Sequence, residues 1–326
     1  MKKALIVMLA AMTFLTGCGS DASLLKPYSI STNTLSEGAS AMLAADAFKG
    51  FAYDIGFVSL ADLENGTYSE PVRGLSAYEA FLAGTADHEI LAASGIYQQM
   101  PPASLTKLLN ALVVLENVGD LDQEITLDDN CYCSVPDAQV CGLSAGDVIS
   151  LRTLLYGMLI YSGNDAANAL AAYVGGTIPE FCDMMNAKAA QIGATDTHFV
   201  TPNGLDDPEH YSSAYDLYLI FSECLKYDLF KEIISQNSVN MVYRHNGEEF
   251  SLYLPSTNYY LLGYKDPPEG ISVIGGKTGT TDQAGLCLIL YVENAQKEGY
   301  ISVLLGCPDK DTLYSDMTNL LSAIRN

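Results

Sequence analysis

Apolar positions along this chain fall into three blocks with different periods. Ala39 to Ala45, Phe51 to Leu60 and Glu89 to Ile96 are short β-rich runs, the last closed by Pro101-Pro102, and the mixed residues 61–88 between them read as an insertion. From Ala103 to Leu115 nearly every position is apolar apart from Ser104, Thr106, Lys107 and Asn110, which predicts a helix buried on almost all sides. Residues 145–235 carry helical spacing in four segments: Leu151 to Tyr161, Asp165 to Val174, Ile178 to Ile192 and Ser213 to Leu225. Turns such as Gly175-Gly176 and Pro202-Asn203-Gly204 separate them. Five β-rich runs follow, Met241 to His245, Phe250 to Leu254, Ile271 to Ile274, Leu286 to Val292 and Tyr300 to Leu305, and suggest an antiparallel meander. Asp311 caps a last helix whose Leu313, Met317, Leu320, Leu321 and Ile324 share one face. Strands, then helices, then strands again predict an α+β fold, an antiparallel sheet flanked by helices with an all-helical lobe inserted. The α/β lobe takes 37–125 and 240–326, and the helical lobe 126–239.

The 326 residues, 49% of them hydrophobic, are enough to bury a large core. Sixteen Lys and Arg stand against 39 Asp and Glu, a net charge of -23, so nucleic acid is excluded as a natural partner. Lys2 and Lys3, the apolar run Ala4 to Leu15, and Leu15-Thr16-Gly17-Cys18 read as an export signal over 1–17, too short to span a bilayer. The string Leu15 to Cys18 looks like a bacterial lipobox, which implies lipid on Cys18, a tether over 18–36 and anchorage to the cell membrane facing the wall. An ordinary signal peptide with a chance Cys is the alternative. Cys131, Cys133 and Cys141 fall in a loop-like stretch where one short bridge is open to them, Cys287 and Cys307 lie in runs that can be neighbouring strands, and Cys182 and Cys224 read as helix core. A metal site at the loop cysteines lacks a fourth ligand, and His88, His198, His210 and His245 show no ligand spacing. No cofactor is called for.

Three strings in order carry the chemistry: Ser104-Leu105-Thr106-Lys107, Ser162-Gly163-Asn164 and Lys277-Thr278-Gly279. Each alone is weak, since Ser23-Leu24-Leu25-Lys26 and Ser256-Thr257-Asn258, among others, fit the same patterns. Context separates them. Ser104 and Lys107 are three apart at a helix start, so their side chains share a face. Burial among Leu and Val, with Lys277 as a second cation, favours a neutral Lys107 able to take the Ser104 proton. The Ser104 N–H, in a first helical turn, is free to bind an oxyanion. A capping Ser with a surface Lys is the plain alternative, and it does not suit so apolar a helix. Ser162 and Asn164 project from a tight turn, Ser162 as a proton relay and Asn164 as an amide contact, where simple helix capping is the rival reading. Lys277, Thr278, Gly279 and Thr280 follow a strand, with hydroxyls and an ammonium suited to a carboxylate and the Thr280 N–H as a second oxyanion donor; an edge strand guarded by Lys is the rival.

Together with Phe199-Val-Thr-Pro-Asn-Gly-Leu205, Tyr211-Ser-Ser-Ala214 and Gly276-Lys-Thr-Gly-Thr-Thr281, these strings resemble the low-molecular-weight penicillin-binding proteins, serine D-alanyl-D-alanine carboxypeptidases of the penicillin-recognising superfamily. The similarity runs from about Ala39 to the end. It implies a β-lactamase/transpeptidase-like fold, release of the terminal D-Ala from peptidoglycan stem pentapeptides through a Ser104 acyl-enzyme, and acylation by β-lactams. Residues 51–87 look longer than the usual connection, and the extra β domain and anchor helix of many relatives are missing. A serine β-lactamase is a rival, but no Glu-x-x-Leu-Asn string follows Ser162-Gly163-Asn164. A non-catalytic penicillin-binding sensor lipoprotein is another.

Overall fold

The computed structural model of the chain describes residues 74–325. The expected strands Ala39 to Ala45 and Phe51 to Leu60, and Cys18 with the export segment, lie outside the described residues.

An antiparallel five-stranded sheet, in the order β2-β1-β9-β8-β7, forms the centre of the α/β part. Its strands are β1 (Glu79–Gly84), β2 (Ile90–Ser94), β7 (Ser272–Thr281), β8 (Gly285–Glu293) and β9 (Gly299–Cys307). β1 corrects the reading of 61–88 as an insertion. All six of its residues are buried, so the alternation that marks a half-exposed strand is absent from Glu-Ala-Phe-Leu-Ala-Gly. Alternation does govern the sheet as a whole. Phe81, Ile289, Val303 and Leu305 face a large core, whereas Leu82, Leu288, Leu290 and Leu304 face a smaller one against the last helix.

The large core is centred on α1 (Thr106–Asn117), preceded by a short 3-10 turn at Ala103–Leu105. Nine consecutive residues of α1, Thr106 to Val114, are buried, as its apolar sequence predicts. Around it lie α2 (Leu151–Tyr156), α3 (Asn164–Gly175), α4 (Ile178–Gln191), α5 (Ala214–Cys224) and a short α6 (Asp228–Ile234) that the sequence pattern did not reveal. The helices are accompanied by a second sheet. β5 (Ser238–His245) and β6 (Glu248–Pro255) pair with each other, and β5 with β4 (Val148–Ser150), which pairs with β3 (Glu124–Thr126). The expected single meander is therefore two sheets. β3 and β4 are three residues each, too short for a period to register.

The last helix, α7 (Lys310–Leu321), packs Leu313, Met317, Leu320 and Leu321 on the sheet. Its cap is Asp309, not Asp311: the Asp309 carboxylate accepts the Thr312 N–H at 2.8 Å, which opens the helix two residues earlier. The seven cysteines of the described residues are free thiols. Cys287 and Cys307 do lie on adjacent strands but face opposite cores, so they cannot bridge. Cys141 is seated against Gly157 and Gly163, and Cys131 lies beside Ala169 and Tyr173 of α3, so the loop bridge is not made either. Cys182 and Cys224 are buried in helices, as expected.

Candidate active site

Ser104 sits in the middle of the 3-10 turn, and the residue before it is strained. Ala103 has φ of +49°, a conformation few non-glycine residues adopt. A network holds it there. Thr106 Oγ1 donates to the Ala103 carbonyl at 2.9 Å and accepts a hydrogen bond from His210 Nε2 at 2.7 Å, while His210 Nδ1 accepts the Val200 N–H at 3.1 Å. That pattern requires neutral imidazole, and burial pushes His210 down to about 4. His210 also stacks on Phe199 at 4.7 Å. Gly204, with φ of +88°, lies so near that a Cβ there would stand 1.9 Å from the Ala103 oxygen. His210 thus supports the turn that presents Ser104.

Lys107 is fully buried, and its Nζ lies 2.8 Å from Ser104 Oγ, 2.7 Å from Asn164 Oδ1 and 2.6 Å from the Asn203 carbonyl. Burial first, and then the like charge of Lys277, push this amine well below its ordinary value. A neutral amine has two N–H donors and one lone pair. The two carbonyl oxygens take the donors, and the lone pair is left for the Ser104 hydroxyl proton.

Ser162 is buried in the turn between a π-helical segment, Gly157–Tyr161, and α3, and Asn164 is the buried first residue of α3. The π turn widens the end of α2 and delivers the chain into Ser162, whose φ is +73°. The turn is tied by Gly163 N–H to the Gly157 carbonyl and Asn164 N–H to the Gln139 carbonyl, at 3.1 and 2.8 Å. Asp165 accepts the N–H groups of Cys141, Gly142 and Leu143 at 2.8–2.9 Å, so loop 139–143 is clamped to the start of α3.

Lys277 is 1% exposed, and its Nζ donates to Ser162 Oγ and to the Thr278 carbonyl, both at 2.8 Å. Burial lowers it to about 7. β7 is the outer strand of its sheet, and at Gly279 it passes so close to the 3-10 turn that a Cβ would lie 3.1 Å from the Ser104 nitrogen. All three strings therefore meet. A cavity of about 350 Å³ is lined by Ser104, Ser162, Asn164, Thr278, Gly279 and Thr280, with residues 137–139 and 203–205 among its other walls.

A family model described as D-alanyl-D-alanine carboxypeptidase, peptidase S11, matches residues 65–309. The chain belongs to this family. Among S11 relatives, D-alanyl-D-alanine carboxypeptidase DacA of Haemophilus influenzae is 33% identical over 225 residues, 67% of this chain and 54% of the relative. DacB2 of Mycobacterium tuberculosis is 38% identical over 190 residues, 56% of this chain and 59% of the relative. The chain spans little more than half the length of these curated relatives. Among solved structures, the Streptomyces K15 DD-transpeptidase superposes with a TM-score of 0.71 at 26% identity, covering 77% of this chain and 97% of that one. A D-alanyl-D-alanine carboxypeptidase from Mycobacterium tuberculosis H37Rv gives 0.69 at 30% identity, covering 79% and 94%. The expected fold is the S11 fold.

Motif reading of this S11 chain missed Asn203, which contributes its backbone carbonyl to Lys107, and Thr257, whose hydroxyl meets that of Thr278 on the cavity wall. Pro202-Asn203-Gly204 was legible as a turn and within a family string, with no role for its carbonyl. A carbonyl that every residue possesses leaves no letter in a sequence.

Proposed function

We propose that this chain is a serine-type D-alanyl-D-alanine carboxypeptidase that removes the terminal D-Ala from peptidoglycan stem peptides and is acylated by β-lactams at Ser104. The observation that carries the reading is the Lys107 amine, buried, 2.8 Å from Ser104 Oγ, with the Asn164 side-chain oxygen and the Asn203 carbonyl as its other partners.

In this reading Lys107 takes the proton as Ser104 Oγ attacks the penultimate D-Ala carbonyl. The N–H of Ser104, at the positive end of α1, and the N–H of Thr280 receive the oxyanion. The Lys277 ammonium, donating to Ser162 Oγ, supplies a proton through that hydroxyl to the departing amine. Asn164 holds Lys107 with its oxygen and presents its amide nitrogen to the substrate. The open edge of β7 suits an extended peptide laid alongside it, with Thr278 and Gly279 at the binding strip. The proton that Lys107 took then passes through solvent to Lys277, which had given one up, and the neutral Lys107 is again the base as water cleaves the acyl-enzyme.

The lipid on Cys18, the signal at 1–17, the tether at 18–36 and attachment to the cell membrane facing the wall belong to the same reading. They are supported by the lipobox string alone. The described residues contain no helix long and apolar enough to cross a membrane.

The test uses wild type and Ser104→Ala with a fluorescent penicillin and with diacetyl-lysyl-D-Ala-D-Ala. Labelling and D-Ala release by wild type alone are expected. Label without D-Ala release would favour the sensor, and rapid β-lactam hydrolysis the lactamase. Equal labelling of Ser104→Ala would end the nucleophile assignment.

A further inference from the structure

Lys107 can turn its lone pair to Ser104 only while its N–H groups are held by other acceptors, and one of these is the backbone carbonyl of Asn203 at 2.6 Å. A carbonyl in a turn points where its residue is rotated. What sets the rotation of Asn203 is a chain of buried side-chain amides that the reaction itself does not use.

The buried Asn203 side chain is held at both ends: Oδ1 accepts the Leu205 N–H at 3.0 Å, and Nδ2 donates to Asn168 Oδ1 at 2.9 Å. Asn168, one turn after Asn164 on α3, is buried too, and its own Nδ2 donates to the Tyr132 carbonyl at 3.2 Å. Tyr132 belongs to the loop that goes on to wall the cavity at 137–139. The Asn168 amide therefore joins that loop, the 202–204 turn and, through the Asn203 carbonyl, the Lys107 amine. Its neighbours on α3, Ala166, Ala167, Ala169 and Leu170, are apolar and buried, and an amide among them carries a desolvation cost that these bonds offset. Asn110, one turn after Lys107 on α1, anchors the turn separately by donating to the Pro202 carbonyl at 2.9 Å and the Ala167 carbonyl at 3.2 Å. Asn110 thus fixes where the turn lies, and the bond from Asn168 fixes how Asn203 is rotated within it.

We propose that Asn168 is a positioning residue for Lys107, fixing through the Asn203 side chain the carbonyl that takes one Lys107 N–H and leaves the lone pair to Ser104. The inference rests on the acylation reading above and adds to it a side chain outside the cavity wall. It also gives the effect a sign. A carbonyl bonds an ammonium more strongly than a neutral amine, so loosening the Asn203 carbonyl disfavours the charged Lys107 and moves its titration lower. Admitting water to the amine does the reverse, because it relieves the burial that disfavours the charge. The other groups whose charge reaches Lys107 are Lys277 on β7, Asp165 on α3, and Cys133, Cys141 and His210 on loops, and a change at Asn168 leaves all five in the chain.

The test measures the rate of fluorescent-penicillin labelling across the pH range in wild type, Asn168→Ala, Asn203→Ala and the variant carrying both. Each single variant should label about tenfold more slowly, and the double no more slowly than the slower single, since both changes break one link. Each should also move the acid limb of the profile to lower pH, where a merely loosened fold would move it to higher pH. An unchanged rate in either single variant, or a double variant slower by about a hundredfold, overturns the proposal. So does an acid limb that stays or moves up. Should Asn168→Ala fail to fold, Asn203→Ala, in a turn still anchored by Asn110, decides by the direction of its limb alone. Wild type that takes no label overturns the acylation reading itself, and the inference with it.

Discussion

Lys107 and Lys277 are the same residue type, both buried, and their surroundings give them different work. Lys107 has two carbonyl acceptors and one hydroxyl, an environment for a neutral base; Lys277 has one carbonyl and one hydroxyl and retains its proton to about 7. The charge on Lys277 is one cause of the low Lys107 value, so the Lys107 titration depends on Lys277. Lys277→Met is expected to slow acylation about 10²–10³-fold, as loss of an acid catalyst does. It should also let the Lys107 value rise, since a like charge has gone, and so move the acid limb of the rate profile to higher pH. Penicillin labelling rates between pH 5 and 9 read both effects; an acid limb that does not move would show that the lysines are uncoupled. Both lysines were legible in the sequence because each stands in an apolar or glycine-flanked run. The Asn203 carbonyl was not, since it belongs to the backbone.

At the scale of elements, the π turn, Ser162-Gly163-Asn164 and loop 139–143 behave as one unit, fastened by Asp165 and by the Cys141 thiol lodged against two glycines. A Cβ at Gly163 would lie 2.2 Å from Cys141 Sγ. Gly163→Ala should therefore cost about 1–3 kcal/mol of stability, as overpacking does, and reduce penicillin labelling with it. The double variant Gly163→Ala, Cys141→Ala removes the clashing atom and should regain part of both in denaturant unfolding and labelling assays. No recovery would mean that the strain lies elsewhere in the turn. The helices here were readable from period and caps, α3 to α5 to within one residue at each end and α1 to within three. β1 was hidden by burial on both faces, β3 and β4 by shortness, and the assignment of β5 and β6 to a second sheet by the fact that strand pairing is a long-range choice no local pattern encodes.

At the scale of the whole molecule, the two parts are joined by a buried carboxyl. Glu79 on β1 accepts the Ala214 N–H at the start of α5 at 2.6 Å, and its other oxygen has no hydrogen-bond partner. Burial, with Asp216 adding to it, raises Glu79 from 4.5 to about 8 against the lowering effect of the Ala214 bond. The folded state thus keeps a proton that the unfolded state gives up above 4.5, so stability falls as pH climbs from about 4.5 through about 8. Glu79→Gln keeps the acceptor and abolishes the ionisation. Its melting temperature should drop less than that of wild type between pH 5.5 and pH 8.5, and equal drops would assign the pH response to other groups.

The unbridged cysteines have a consequence for where this polypeptide can mature. Each core thiol fills space as a small apolar side chain would, and burial keeps Cys224 and Cys287 protonated and chemically quiet. Nothing in the described architecture waits on an oxidant. The described fold can assemble equally in a reducing or an oxidising compartment, so its folding does not depend on thiol chemistry.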